Sequence, residues 1–246
     1  MVTKNCIHIK QGAFGYLKNN KAIEVLKEIN LEAFPGDFIG MVGLNGSGKS
    51  TLLKSLSGVL PILKGEILID GFSINAISHN DLAKKVSVVL TEKISGFNLT
   101  SFDAVAAGQL PYTNLFNTLE KQHIEIINAA IEICGLKKHE HKLLSELSDG
   151  LFQKTMIAKS IAQQTSILLL DEPSAFLDYA SKHQLFILLK SLAQEKKCVL
   201  VSSHDLDLIL KYCNKLLIVK DGFAQLITTT EAITNPAFKE LSGGYL

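Results

Sequence analysis

Five short stretches of this chain are apolar at nearly every position. They are Phe38-Ile-Gly-Met-Val42, the set Val86, Val88, Val89 and Leu90, Ile167-Leu-Leu-Leu170, Cys198-Val-Leu-Val201 and Leu216-Leu-Ile-Val219. Runs this short, separated by helical patterns, suit strands buried on both faces of a parallel sheet. A different rhythm marks the beginning. Ile7 and Ile9, then Ile23, Val25, Ile29 and Leu31, follow a strand-like alternation, with turn signals at Asn19-Asn20 and Pro35-Gly36. Another β signal lies at Gly65-Glu-Ile-Leu-Ile-Asp70-Gly71. Together these predict a small antiparallel sheet flanking the core. Residues near 100–160 lose strand character. There Ile124, Ile127, Ala130, Ile131 and Cys134 recur at helical spacing and stop at Gly135, a C-cap candidate. The pattern predicts an α/β chain with a helical insertion and no tandem repeat or clear linker.

Length and composition narrow the possibilities. The 246 residues suffice for one large α/β domain or for a core carrying a small lobe. A formal net charge of +1 gives no strong field toward nucleic acid or an anionic membrane surface. Cys6, Cys134, Cys198 and Cys213 lie far apart without a C-x-x-C pair, which predicts reduced, mostly buried thiols of a cytosolic protein. The first residues lack a secretory pattern, and no apolar run approaches the roughly 18 residues that span a bilayer. The positive mean hydropathy fits a doubly covered sheet, or an apolar patch for a partner.

Candidate chemistry follows the first core strand. Gly43-Leu-Asn-Gly46-Ser-Gly48-Lys49-Ser50-Thr51 matches G-x-x-x-x-G-K-[ST] and opens the helical pattern Leu52, Leu53, Leu56. Glycines let successive backbone N–H groups turn inward on a polyphosphate, and a helix dipole adds partial positive charge. Lys49 is placed to reach the β/γ-phosphates and the Ser50 hydroxyl to ligate Mg²⁺. Asp171 and Glu172 end another core strand at the same sheet edge. Asp171 is the candidate to hold Mg²⁺ through water, and Glu172 the candidate general base. His204 follows the strand ending Ser202-Ser203 and can reach a γ-phosphate or the Glu172–water pair. Ser148 reads equally as an anion-binding turn and as an ordinary helix cap. Tyr16 can stack on a purine or simply pack in the β lobe. All 25 basic residues are Lys, so this chain has no arginine finger to offer. Transition-state charge falls instead to Lys49, Mg²⁺, backbone N–H groups and hydroxyls.

In order, Tyr16, "GLNGSGKST", "LSDGLFQ", "ILLLDEP", Leu177-Asp178 and "VSSHD" resemble the ATP-binding subunit of an ATP-binding-cassette (ABC) transporter, over essentially the whole chain. The resemblance implies one domain over 1–246: a RecA-like P-loop NTPase core, an antiparallel β subdomain and a helical signature subdomain over about 92–163. It implies ATP and Mg²⁺ as cofactors, with Gly43, Leu44, Asn45, Gly46, Ser47, Gly48, Lys49, Ser50 and Thr51 around the phosphates. Tyr16 would stack on adenine, Glu172 would act as base and His204 as switch. It further implies a head-to-tail dimer with a second copy or a homologous ATPase subunit. Ser148 and Gly150 of one copy would then meet ATP on the other, and Asp178 would couple the two sites. Membrane permease subunits are the implied partners, an extracytoplasmic binding protein an indirect one, and nucleic acid is not expected. The implied location is peripheral, on the cytoplasmic face of the inner (plasma) membrane. Within the family, "LPILKGEILIDG" and "AAGQLPYTNLF" are similar to importers of ferric siderophores, haem or cobalamin. Those importers carry a "GR-x-P" element where this chain has Gly108-Gln-Leu-Pro111-Tyr112.

The chain departs from the family pattern in places. The usual metal-binding Gln after the strand ending at Leu90 is replaced by Thr91, followed by Glu92, so either becomes the candidate ligand. Asp149 and Leu151 replace the first glycine and the glutamine of the signature L-S-G-G-Q. Leu241-Ser-Gly-Gly-Tyr245 imitates that signature, but no helical pattern follows it and it lies downstream of His204. The rival reading is a soluble ABC-type ATPase assisting metal-cluster assembly or DNA repair. Only about 97 residues separate Thr51 from Ser148, without heptads, which disfavours the DNA-repair form.

Asp149 suits the first turn of a helix. About 5 Å from a γ-phosphate it would add roughly 3 kcal/mol of repulsion at an effective dielectric near 20. The expectation is therefore that it faces away. An Asp149→Gly variant should keep ATP-driven dimerisation within a few fold of wild type by analytical ultracentrifugation; many-fold tighter association would contradict this.

Overall fold

The computed structural model describes residues 5–19, 21–91, 98–114 and 118–243. Among these are ten strands: β1 (Ile7–Lys18), β2 (Lys21–Ala33), β3 (Phe38–Val42), β4 (Ile62–Ile69), β5 (Phe72–Ser73), β6 (Val86–Val89), β7 (Ile167–Leu170), β8 (Cys198–Ser202), β9 (Lys215–Lys220) and β10 (Phe223–Thr228). The helices are α1 (Lys49–Leu56), α2 (His79–Ala83), α3 (Ser101–Ala106), α4 (Lys121–Ile133), α5 (Asp149–Ala162), α6 (Tyr179–Gln194), α7 (Leu206–Tyr212), α8 (Thr229–Ala232) and α9 (Pro236–Leu241). Asn20, Glu92, Leu115, Phe116, Gly244 and Tyr245, singled out in the sequence, lie outside the described residues.

The strands form two sheets. One is antiparallel, ordered β2-β1-β4-β5; the other is ordered β10-β9-β3-β8-β7-β6, parallel except for β10. The fold is thus a P-loop α/β core with an antiparallel lobe. All five apolar runs fall in the second sheet, and their two faces separate by alternation. Phe38, Val42, Leu168, Leu170, Val199, Val201, Leu216 and Ile218 face one core, shared with α6, α7 and α9. Ile39, Met41, Ile167, Leu169, Cys198, Leu200, Leu217 and Val219 face the other. There they meet Leu52, Leu53 and Leu56 of α1 and the inward residues of the lobe, including Ile7, Phe14, Leu26 and Ile29. Each such side chain contributes about 1.5–3 kcal/mol by leaving water. That double cover explains why these strands carry no polar alternation.

Between β6 and β7 the described residues are mainly helical, with a separate small core of Val105, Ile127, Ala130, Ile131, Leu136, Ala158 and Ala162. Helix α4 ends where the periodicity stops, and Gly135 takes the left-handed conformation (φ +66). The four cysteines are free. Leu241 closes α9 and Ser242 caps it, so the signature-like tail begins at a helix end. No helix among the described residues is long and apolar enough to cross a membrane.

The lobe is bent by irregular pairing between β1 and β4, with register shifts after Lys10. Gly65 sits there at φ +79, and a Cβ on it would lie 2.3 Å from the Gln11 carbonyl oxygen. Gly65→Ala therefore meets backbone on both counts. It is expected to destabilise the fold by about 1–3 kcal/mol, read as a lower urea midpoint at unchanged slope.

Candidate functional site

Parallel register brings the candidate chemistry to one sheet edge. Met41 of β3 pairs with Ser202 of β8, and Leu170 of β7 pairs with Val201. The loop after β3, the acids after β7 and the histidine after β8 therefore emerge side by side. They share one cleft of about 210 Å³, lined by Tyr16, Val25, residues 45–51, Thr91, Asp171, Glu172 and His204.

The loop from Gly43 to Gly48 is constrained by its neighbours. A Cβ on Gly43 would lie 2.3 Å from the Val219 carbonyl oxygen. One on Gly48, at φ +107, would lie within 3 Å of Leu26 and Val25. These glycines let the loop run hard against β9 and the lobe. Gly43 and Leu44 do not line the cleft. Their carbonyls sit behind it and accept hydrogen bonds from Lys49 Nζ, at 2.8 and 3.2 Å. Burial lowers the Lys49 pKa, opposed by Glu172 and then Asp171. A buried ammonium supported mainly by neutral carbonyls and nearby acids is primed for a polyanion. Ser50 and Thr51 open α1 at the cleft wall, with no acidic residue in the first turn to oppose the helix dipole.

Asp171 is almost fully buried; its N–H donates to the Val89 carbonyl at 2.8 Å, and its Oδ1 accepts from Ser202 Oγ at 2.7 Å. Glu172 takes a left-handed backbone conformation (φ +48), its N–H donating to Ser202 Oγ at 2.9 Å. Its Oε1 lies 3.2 Å from His204 Nε2. Burial holds the Glu172 carboxyl above the usual carboxylate range, against the opposing pull of His204 and then Lys49. Ser203 Oγ accepts from the Asp205 N–H at 3.1 Å, and Asp205 pairs with Lys182 at 2.8 Å, so the turn bearing His204 is held from two sides.

Tyr16 stands half exposed on β1 at the cleft mouth, beside Val25 of β2. Thr91 is exposed at the end of β6 and reaches the cleft; Glu92 lies outside the described residues. Ser148, Gly150 and Asp178 do not line this cleft. Ser148 caps α5, accepting from the Leu151 N–H at 3.4 Å, and a Cβ on Gly150 would lie 3.1 Å from the Phe176 carbonyl oxygen. Asp178 caps α6 through the Ser181 N–H at 2.8 Å. These three therefore form a second surface, where the start of α5 meets the segment before α6. Asp149 is exposed in the first turn of α5.

Two contributors were missed in the sequence. Val25 reads there as ordinary strand alternation, and only the packing of the lobe against Gly48 makes it a cleft wall. Ser202 carries a signal that was not used: a hydroxyl closing an otherwise apolar strand.

The family profile described as ABC transporter matches residues 26–175. An uncharacterized ABC transporter ATP-binding protein of Methanocaldococcus jannaschii is 40% identical over 198 residues, covering 80% of this chain and 68% of its own. The petrobactin import ATP-binding protein of Bacillus anthracis is 32% identical, covering 81% and 74%. The hemin import ATP-binding protein of Pseudomonas entomophila is 30% identical, covering 94% and 88%. Among solved structures, the dimeric structure of a bacterial ABC transporter cassette superposes with a TM-score of 0.81 at 25% identity, covering 91% of this chain and 98% of that one.

A raised Glu172 pKa widens the pH range over which that carboxyl is protonated. Because His204 opposes the rise, His204→Ala is expected to move the Glu172 titration to higher pH. Carboxyl-labelled glutamate followed by ¹³C NMR, with Glu172→Gln assigning the resonance, reads this directly; an unmoved or lowered titration would contradict it.

Proposed function

Because the chain belongs to the ABC transporter family, we propose that it energises a membrane importer whose cargo is a ferric siderophore, haem or a cobalamin-type molecule. It binds ATP and hydrolyses it, as the family does. One observation carries the assignment of residues: Lys49, Asp171, Glu172 and His204 meet in a single cleft, while the turn at Ser148 faces elsewhere on the same protomer. On this reading ATP lies between two polypeptides. One offers the loop from Gly43 to Thr51 and Tyr16; a second copy, or a homologous ATPase subunit, offers Ser148 and Gly150. Asp178 sits on that second surface and couples the sites. A related cassette solved as a dimer supports the arrangement.

Lys49 leaves the Gly43 and Leu44 carbonyls for the β- and γ-phosphate oxygens. Loop N–H groups other than that of Ser47, which donates to the Leu44 carbonyl at 3.1 Å, take up the remaining charge, since no Arg is present. Glu172 accepts a proton from water as its oxygen bonds to the γ-phosphorus and the bond to the bridging oxygen breaks. His204 holds the Glu172 carboxylate and faces the γ-phosphate. Burial favours the base role, because a carboxylate with raised pKa binds the transferred proton more firmly.

A Mg²⁺ ion fits this donor set. Asp171 presents a buried carboxylate fixed by Ser202, the Ser50 hydroxyl lines the same cleft, and Thr91 adds another oxygen at its edge. Few protein oxygens are what Mg²⁺ takes beside substrate phosphates. Among the described residues no group of three or more His, Cys, Asp or Glu forms an alternative metal cage. The ion would neutralise charge on the β- and γ-phosphates, held by Ser50 and, through water, Asp171.

The remaining partners are membrane permease subunits and, indirectly, an extracytoplasmic binding protein, with the chain peripheral at the cytoplasmic face of the inner (plasma) membrane. The import functions named for its relatives support this reading and do not favour the soluble cluster-assembly or DNA-repair rival. Residues 92–163 would then form the helical signature subdomain of one domain spanning 1–246.

Glu172→Gln is expected to abolish turnover, at least about a hundredfold, while ATP traps a stable dimer. Size-exclusion chromatography with and without ATP reads the trap. Wild type that hydrolyses ATP yet stays monomeric throughout, as Glu172→Gln does too, would overturn the shared site.

A further inference from the structure

We infer that Ser202 is a positioning residue for the acid pair, setting through one hydroxyl both the orientation of Asp171 and the backbone of Glu172. The inference rests on the proposed role of Glu172 as base. Ser202 is fully buried at the end of β8, where the other four strand residues are apolar. Its Oγ donates to Asp171 Oδ1 at 2.7 Å and accepts from the Glu172 N–H at 2.9 Å. The single hydroxyl proton is therefore committed to the carboxylate, and a lone pair is committed to the amide.

Both bonds matter because of what they restrain. Glu172 is held at φ +48, a left-handed conformation that costs a β-carbon-bearing residue free energy and persists only when its surroundings impose it. The Ser202 bond is a direct restraint on that residue's amide, and the conformation it supports leaves Glu172 Oε1 at 3.2 Å from His204. A change of backbone conformation at Glu172 would alter the placement of its side chain against His204. The Asp171 bond works on the other acid: it engages Oδ1 and so fixes which oxygen remains for other ligands. Register explains why this position can do both jobs. Leu170 pairs with Val201, so Ser202 stands level with the first acid and beside the amide of the second. Ser203 holds a different element, the turn at Asp205. The two adjacent serines thus serve the two sides of the Glu172–His204 contact.

The test uses the full chain and four proteins: wild type, Glu172→Gln, Ser202→Ala and Ser202→Thr. Steady-state ATP hydrolysis gives kcat and KM, and binding of a fluorescent ATP analogue gives Kd. Ser202→Ala is expected to lower kcat by about ten- to a hundredfold with Kd for the analogue changed less than about threefold. Ser202→Thr, which keeps the hydroxyl, is expected to recover most of kcat. A purely structural serine would lower the yield of folded protein but leave kcat per nucleotide-binding site unchanged. If alanine prevents folding, the near-isosteric Ser202→Cys takes its place in the same measurements. A kcat within twofold of wild type for the hydroxyl-deleted variant, with Glu172→Gln inactive, would overturn the inference alone. An active Glu172→Gln would instead remove the base assignment on which it stands.

Discussion

Parallel pairing of β3, β8 and β7 in one register is the constraint on which the rest of the site depends. Met41 opposite Ser202 and Leu170 opposite Val201 place three chain exits at one level. The loop after β3, the acid pair after β7 and the turn bearing His204 lie far apart in sequence, and the sheet makes them neighbours. The double cover of that sheet maintains the register, because a one-residue slip would exchange the inward faces of whole strands. Its cores hold Phe38 and Val42 on one side and Ile39 and Met41 on the other, so either slip would misplace large side chains.

Electrostatics within the cleft then follow from burial. Lys49, Asp171 and Glu172 are drawn out of water together, and each shift named above is a compromise between desolvation and a neighbour. Burial lowers the Lys49 pKa against the pull of two acids, and Glu172 is held up by burial yet restrained by His204 and Lys49. With Lys as the chain's only strong base type, the compact ammonium at position 49 carries charge that no guanidinium of this chain can share.

Much of this was legible in the amino-acid sequence, for definite reasons. The five core strands were readable because burial on both faces leaves an uninterrupted apolar run. The phosphate loop was readable because its glycines, lysine and hydroxyl are contiguous. β5 has two residues, too few for any pattern. β10 is an edge strand whose Phe223-Ala-Gln-Leu-Ile-Thr228 alternates only weakly and is largely part-exposed. Val25 was invisible as a cleft wall, since nothing along the chain says the lobe folds over Gly48. Ser202 was visible as a residue but not as a contact, because its partners come from a strand some 30 positions earlier. Short-range chemistry is written in the sequence; adjacency across strands has to be built.

The cleft takes its walls from both sheets: Tyr16 and Val25 come from the antiparallel lobe, the loop and the acids from the core. Near this edge the two are also joined by the Lys27 N–H donating to the Gly222 carbonyl at 2.8 Å. A molecule seated in the cleft therefore acts as a brace across a seam, and its binding energy adds to the cohesion of the protein itself. Heat resistance of the chain should therefore rise with the concentration of nucleotide that fills the cleft.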